Sequence, residues 1–312
     1  MTVPRPSRLA LALDLGGTKV EAALVDPEGV VVPASRFRAA TGPDCTPERL
    51  RAALQEVVGR ALAERGDAQL VGAGVGSAGP IDLRAGTTEP VNMPGVRGFP
   101  LVAAVRALLP EVPVAFRLDG TCIALAEHWV GATRGIANSL ALVVSTGVGG
   151  GIIVEGRLLG GSGGNAGHLG QMRIRGRAEE PGPVTVEELA SGPRTVAWAR
   201  EQGWSGEDGR DLSRSAREGD RIARAGIERS AAALGEGIAN AATLLDLEIV
   251  AIGGGFVDVA DDYIALVQRA AEDAALFDYA RRVRVVRSGL GVDGPLIGAA
   301  ALIHRAELLP SA

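Results

Sequence analysis

The chain has 312 residues, 46% of them hydrophobic and 22% charged, which suits two globular domains with cores of their own. Its net charge of −5 gives no basic excess to hold nucleic acid or an anionic membrane, although a small anionic ligand needs only local positive potential. The two cysteines, Cys45 and Cys122, form neither a disulfide framework nor a metal-ligand pair.

Asp14 interrupts the apolar run Leu9 to Leu13 too early for a signal peptide or a membrane span. A buried first strand over 8–14 and a cytoplasmic protein are expected. The turn LGGTK leads to a second strand over 20–25, an opening hairpin with a glycine corner, and the turn Asp26 to Gly29 precedes VVV. Residues 47–65 carry apolar side chains at helical spacing and end at Gly66. A buried strand follows within 71–82, and then a short helix closed by Pro110. VPVAFRLD is a strand end, and a helix starts just after Asp119.

The second half repeats the theme. Residues 139–159 read as strand, glycine corner, strand, followed by an irregular loop over 160–171. VTVEELASGP opens a helical stretch, residues 206–220 read as a charged loop, and 220–246 as a long amphipathic helix. LEIVAIGGG is a strand ending in glycines, and a terminal helix closes the chain. The paired strand–corner–strand openings read as an internal duplication.

Both corners are candidate phosphate sites. At Asp14-Leu15-Gly16-Gly17-Thr18-Lys19 a carboxylate at a strand end precedes a tight turn whose backbone N–H groups can face phosphate oxygens, and Asp14 can orient Mg²⁺. The chain continues as a strand, so this is not a Walker loop. Thr146-Gly147-Val148-Gly149-Gly150-Gly151 has the same character. Asp119 suits a helix N-cap, the reading that spacing alone favours, and it also suits a general base for phosphoryl transfer. Gly253 to Gly255 can pass close to a ring or a ribose, or simply turn the chain. No Ser/His/Asp set and no zinc spacing is present.

The segments DLGGTKVEAALVD, GVGSAGPID, NMPG, LDGTCIALAEHWVGA, STGVGGGIIVEGRLLGGSGGNAGHLG, EELASGP, LEIVAIGGG and GPLIGAAAL together resemble the ROK family (repressor, open reading frame, kinase) from Leu9 to His304. The resemblance implies an α/β, two-domain ribonuclease-H-like (actin/Hsp70/sugar kinase) fold with duplicated halves and an interdomain cleft. It implies a glucokinase-like sugar kinase with MgATP as phosphoryl donor, working as a homodimer. The expected domains are 1–117 with 295–312, and 118–294. Carried over by position, Asp119 is the catalytic base. Asp14, Gly16, Gly17, Thr18, Lys19, Thr146, Gly147, Gly149, Gly150, Gly254 and Gly255 bind ATP, with Mg²⁺ near Asp14. Gly79, Asn92, Leu118, Asp119, His168 and Glu187 line the sugar site.

The chain departs from the family pattern in three places. The usual Asn-Asp pair is Leu118-Asp119. The usual Glu-x-Gly-His is His168-Leu169-Gly170-Gln171. The zinc loop, Cys-x-Cys-Gly-x-x-Gly-Cys-x-Glu in the family, is a stretch near RGRAEEPGPVTVEE without cysteine, so the structural zinc is expected to be lost. A repressor of the same family needs an N-terminal DNA-binding module, for which a first strand near Arg8 leaves no room. A non-catalytic sugar- or nucleotide-binding regulator is the alternative expectation.

Overall fold

The computed structural model describes residues 8–175 and 184–310. In chain order the elements are β1 (Arg8–Leu15), β2 (Lys19–Val25), β3 (Phe37–Ala40), α1 (Pro47–Ala63), β4 (Gln69–Ser77), β5 (Ile81–Asp82), β6 (Thr87–Thr88), α2 (Leu101–Leu108), β7 (Val114–Leu118) and α3 (Asp119–Val130). There follow β8 (Ser139–Val144), β9 (Val148–Val154), β10 (Arg157–Leu158), β11 (Arg173–Ile174), β12 (Val184–Thr185), α4 (Val186–Ala190), α5 (Gly192–Glu201), α6 (Gly209–Arg217) and α7 (Arg221–Leu245). The chain ends with β13 (Ile249–Gly253), α8 (Tyr263–Ala274), α9 (Asp278–Arg281), β14 (Arg284–Arg287) and α10 (Gly294–His304).

The elements form two compact units. The first comprises Met1–Gly131, Arg157–Ala166 and Val292–Ala312, and the second Ala132–Gly156 and Gly167–Gly291. In the first, the sheet runs β3-β2-β1-β4-β7; β1 and β2 are antiparallel, and β4 lies parallel to both β1 and β7. In the second, the unit's own strands run β9-β8-β13-β14, again an antiparallel hairpin followed by two parallel neighbours. In both sheets the hairpin corner therefore stands at the carboxyl end of a strand with a parallel neighbour, where ligands of α/β sheets bind.

Local chemistry sets these elements. Thr46 caps α1 by accepting from the Arg49 N–H, with Pro47 opening the helix. Asp220 caps α7 through the Ile222 and Ala223 N–H groups. Each unit buries its own apolar cluster: Leu11, Leu13, Leu24, Leu54 and Val75 in the first, and Leu142, Ile227, Leu234, Ile252 and Tyr263 in the second. The Tyr263 hydroxyl is satisfied inside that core by Ser230 at 2.7 Å.

The structure departs from the expected boundaries. Residues 118–131, assigned by the sequence to the second domain, fold with the first, because α3 packs against α10 and β4. Within 206–220, read as a loop, α6 forms, capped by Asp208 and anchored by buried Leu212.

Candidate active site

In the first unit three strand ends converge. Asp14 is the penultimate residue of β1, Gly76 stands beside it in register on β4, and Asp119 follows β7 as the first residue of α3. A Cβ on Gly76 would lie 3.7 Å from Asp14 Oδ1, 3.7 Å from the Asp119 Cα and 3.1 Å from the Cys122 Sγ. The missing side chain thus leaves room beside the Asp14 carboxylate and the Asp119 backbone, a role that sequence reading did not give to Gly76. Burial raises the Asp14 carboxyl to about pH 7, helped by the negative charges of Asp119 and Glu21. Asp119 does not cap its helix in the usual way; its Oδ1 accepts from the neighbouring Gly120 N–H at 2.6 Å.

The β1–β2 corner is tight. The Gly16 N–H donates to the Lys19 carbonyl at 2.9 Å, and the Thr41 hydroxyl donates to the Gly16 carbonyl at 3.1 Å. Asn92 packs on the corner: a Cβ on Gly17 would be 3.1 Å from the Asn92 Cβ. Thr18 is exposed at the tip. One turn of strand further, buried Glu21 accepts from Lys19 Nζ at 2.5 Å, from Arg36 at 3.2 Å and from Arg38 at 2.9 Å. Burial alone would raise the Glu21 carboxyl, but the hydrogen bonds from Lys19 and Arg36 outweigh it and lower the pKa. Arg36 also reaches Asp293 at the start of α10, at 2.6 Å.

Besides Asn92 and Asp119, two further sugar-site expectations sit in this unit. Gly79 lies partly exposed just beyond β4. Leu118 requires a correction. Its side chain is 1% exposed and belongs to the first unit's hydrophobic cluster, so it is a core residue behind the site and offers no face to a ligand. Strand alternation explains this, because Phe116 and Leu118 point to the same buried side.

In the second unit, Thr146 and Gly255, distant in sequence, line one cavity of about 520 Å³. Its other walls include Arg200, Glu207, Asp208 and Phe256, none of which belongs to a recognisable motif. Arg200 braces the loop before α6 by donating to the Gly206 and Glu207 carbonyls at 2.8 and 3.0 Å. Gly254 adopts φ +98°, which favours glycine, and a Cβ there would collide with the Val144 carbonyl. Apolar walls, two carboxylates and a glycine corner together suit a flat base, hydroxyls and phosphates.

The remaining candidate glycines of this corner lie in or beside β9. Gly149 and Gly150 lie within β9, and Gly150 is buried 2.7 Å, at its would-be Cβ, from a Leu142 methyl. Its small size serves packing. Gly147 is small because a Cβ there would sit 2.5 Å from Glu187 Oε2. Glu187 accepts from the Val148 N–H at 2.8 Å and from the Gln171 side-chain amide at 3.1 Å. His168 is half-buried and immediately precedes the turn at Leu169–Gln171. Residues 176–183, where the altered zinc loop falls, lie outside the described residues.

The ROK family model matches residues 10–306, and the chain belongs to the ROK family. Over 309 residues it is 33% identical to an N-acetylmannosamine kinase of Escherichia fergusonii, covering 96% of this chain and 99% of that protein. A ROK hexokinase from Thermus thermophilus superposes with a TM-score of 0.81 at 32% identity, covering 96% of this chain and 99% of its own. A ROK glucokinase from Streptomyces griseus, solved with glucose and AMPPNP, gives a TM-score of 0.79 at 28% identity over 95% and 99% of the two chains. The fold is thus the two-domain, actin-like fold of ROK sugar kinases.

Proposed function

We propose that this chain transfers the γ-phosphoryl group of MgATP to a hydroxyl of a hexose or hexose derivative, with Asp119 as general base. The observation that carries the reading is the convergence of Asp119 and Asp14 across side-chain-free Gly76 at the carboxyl ends of parallel strands. Asp119 takes the proton as the hydroxyl oxygen bonds to the γ-phosphorus and the bond to the β-phosphate oxygen breaks, leaving ADP. A carboxylate pair that raises the Asp14 pKa is a favourable place for a cation, so Asp14 fits the metal of the nucleotide. Bound Mg²⁺ neutralises charge on the transferring phosphates. The cavity beside Thr146 and Gly255 takes the nucleoside, while Asn92, Gly79, His168 and Glu187 serve the sugar.

N-acetylmannosamine, named for the E. fergusonii relative, is the first acceptor to test, beside glucose and mannose. His168, in place of a carboxylate, offers one hydrogen bond where two anionic oxygens are usual, which supports an acceptor other than plain glucose. ADP release with this panel is expected, and Asp119→Asn should lower kcat/KM by about 10²–10⁴-fold. Wild-type turnover in Asp119→Asn would exclude the mechanism. Nucleotide binding without ADP release from any sugar would favour the regulatory alternative. A cytoplasmic homodimer belongs to the same proposal; among the described residues no helix is long and apolar enough to cross a membrane.

A further inference from the structure

We infer that Glu187 is a positioning residue for the nucleotide corner, held in place by Gln171. This rests on the kinase reading above and adds a nucleotide role to a residue expected at the sugar. Both oxygens of Glu187 are engaged: Oε2 accepts from the Val148 N–H at 2.8 Å, and Oε1 accepts from Gln171 Nε2 at 3.1 Å. Val148 is the first residue of β9 and so fixes how the chain leaves the Ser145–Gly147 turn, where the Ser145 N–H donates to the Gly147 carbonyl at 2.9 Å. Gly147 leaves the carboxylate no slack, since a Cβ would approach Oε2 to 2.5 Å. The corner is therefore shaped from behind by a charged acceptor, and a hydrogen bond to a carboxylate is stronger than one between neutral groups.

Glu187 is itself well anchored. It lies in the first turn of α4, where Thr185 and Glu188 form a reciprocal capping box and Val186, Leu189 and Ala190 are buried. The Gly192 N–H, just after α4, donates to the Ser145 carbonyl at 2.9 Å, a second tie from the same segment to the corner. On the other side, the loop carrying His168 and Gln171 presses on β9 backbone to backbone. A Cβ on Gly170 would strike the Val148 carbonyl, and one on Gly167 would be 2.6 Å from the Gly150 carbonyl. The Val186 N–H also donates to the Met172 carbonyl at 3.0 Å, which joins that loop to α4. Gln171, Glu187 and Val148 thus form one bracket behind Thr146.

Isothermal titration with a non-hydrolysable ATP analogue, without sugar, tests this independently of turnover. N-acetylmannosamine titration of the same samples and circular dichroism of each variant accompany it. Glu187→Ala removes both bonds and should weaken nucleotide binding by about tenfold or more. Glu187→Gln keeps an oxygen for Val148, and a flipped Gln171 amide can meet its NH₂, so this variant should stay within about threefold of wild type. Gln171→Leu, at an exposed position, should cost about two- to fivefold. Unchanged nucleotide affinity in Glu187→Ala, or equal losses in the Ala and Gln variants, would overturn the inference. If Glu187→Ala does not fold, unchanged affinity in Gln171→Leu overturns it. A wild-type protein that binds no nucleotide would instead bring down the kinase reading itself.

Discussion

Asp14 and Glu21 face each other across β1 and β2, yet their carboxyls are pushed in opposite directions. Asp14 is raised from 3.8 to about 7, chiefly by burial and then by its acidic neighbours; Glu21 is lowered because Lys19 and Arg36 hydrogen-bond to it. The folded state therefore holds a proton on Asp14 that the unfolded chain has released between about pH 4 and pH 7. That contribution to stability is full below the unfolded pKa and is lost as pH rises through about 7. Asp14→Asn should thus stabilise the nucleotide-free protein at pH 8 by up to about 4 kcal/mol, and by little near pH 4. Urea unfolding of both proteins at the two pH values checks it; a gain independent of pH would show that the carboxylate is not under this strain. Glu21 has the opposite sign, supporting the fold at neutral pH and ceasing to do so as pH falls.

Helix α10 approaches its neighbours closely at two glycines. A Cβ on Gly298 of α10 would run into the Cys122 carbonyl of α3, and one on Gly74 of β4 into the Ala299 carbonyl. Gly298→Ala should accordingly destabilise the protein by about 1–3 kcal/mol or more, seen as a lower urea midpoint at unchanged slope. A midpoint equal to wild type would mean that α3 and α10 have room to part. At this scale much was legible. Both hairpins follow from apolar strands meeting at glycines, and α7 follows from its periodicity and Asp220 cap. What escaped was structure fixed from outside the segment. α6 has only Leu212 and Ser213 buried, so its charged sequence reads as a loop until Asp208 and its tertiary neighbours are seen. Val31 makes a single bridge to Val25, and the third strand, at Phe37–Ala40, went unread. Asp14, Asp119 and the corners were legible in the sequence as candidates, and the structure sets Asp14 and Asp119 beside Gly76. Arg200, Glu207 and Phe256 were not legible, because tertiary folding alone brings them to Thr146. Leu118 was misread because adjacency to Asp119 in sequence says nothing about which way a strand residue points.

At the scale of the molecule, two units repeat one plan, and each has its own core of aliphatic and aromatic side chains. This bears on the missing zinc loop. Cys45 and Cys122 both lie buried in the first unit, so the second contains no cysteine to ligate a metal. Gln171, at the position of the family's imidazole, is bonded to Glu187. Beside it, β11 pairs with β12, the Arg175 N–H donates to Glu236 on α7 at 3.0 Å, and the Val186 N–H donates to the Met172 carbonyl. Hydrogen bonds and the packing of Ile174 and Val186 into the core thus hold both ends of this segment. In a protein whose fold depends on structural zinc, removing the metal removes folding free energy. Here the expected outcome is less than about 0.1 zinc per chain in untagged protein by elemental analysis, and no shift of Tm with EDTA. A destabilisation of even 1 kcal/mol would lower Tm by about 2–4 °C in a unit of this size, which a melting curve resolves. One tightly held zinc per chain, or a Tm that falls on chelation and recovers with zinc, would mean that non-cysteine ligands have replaced the family's set.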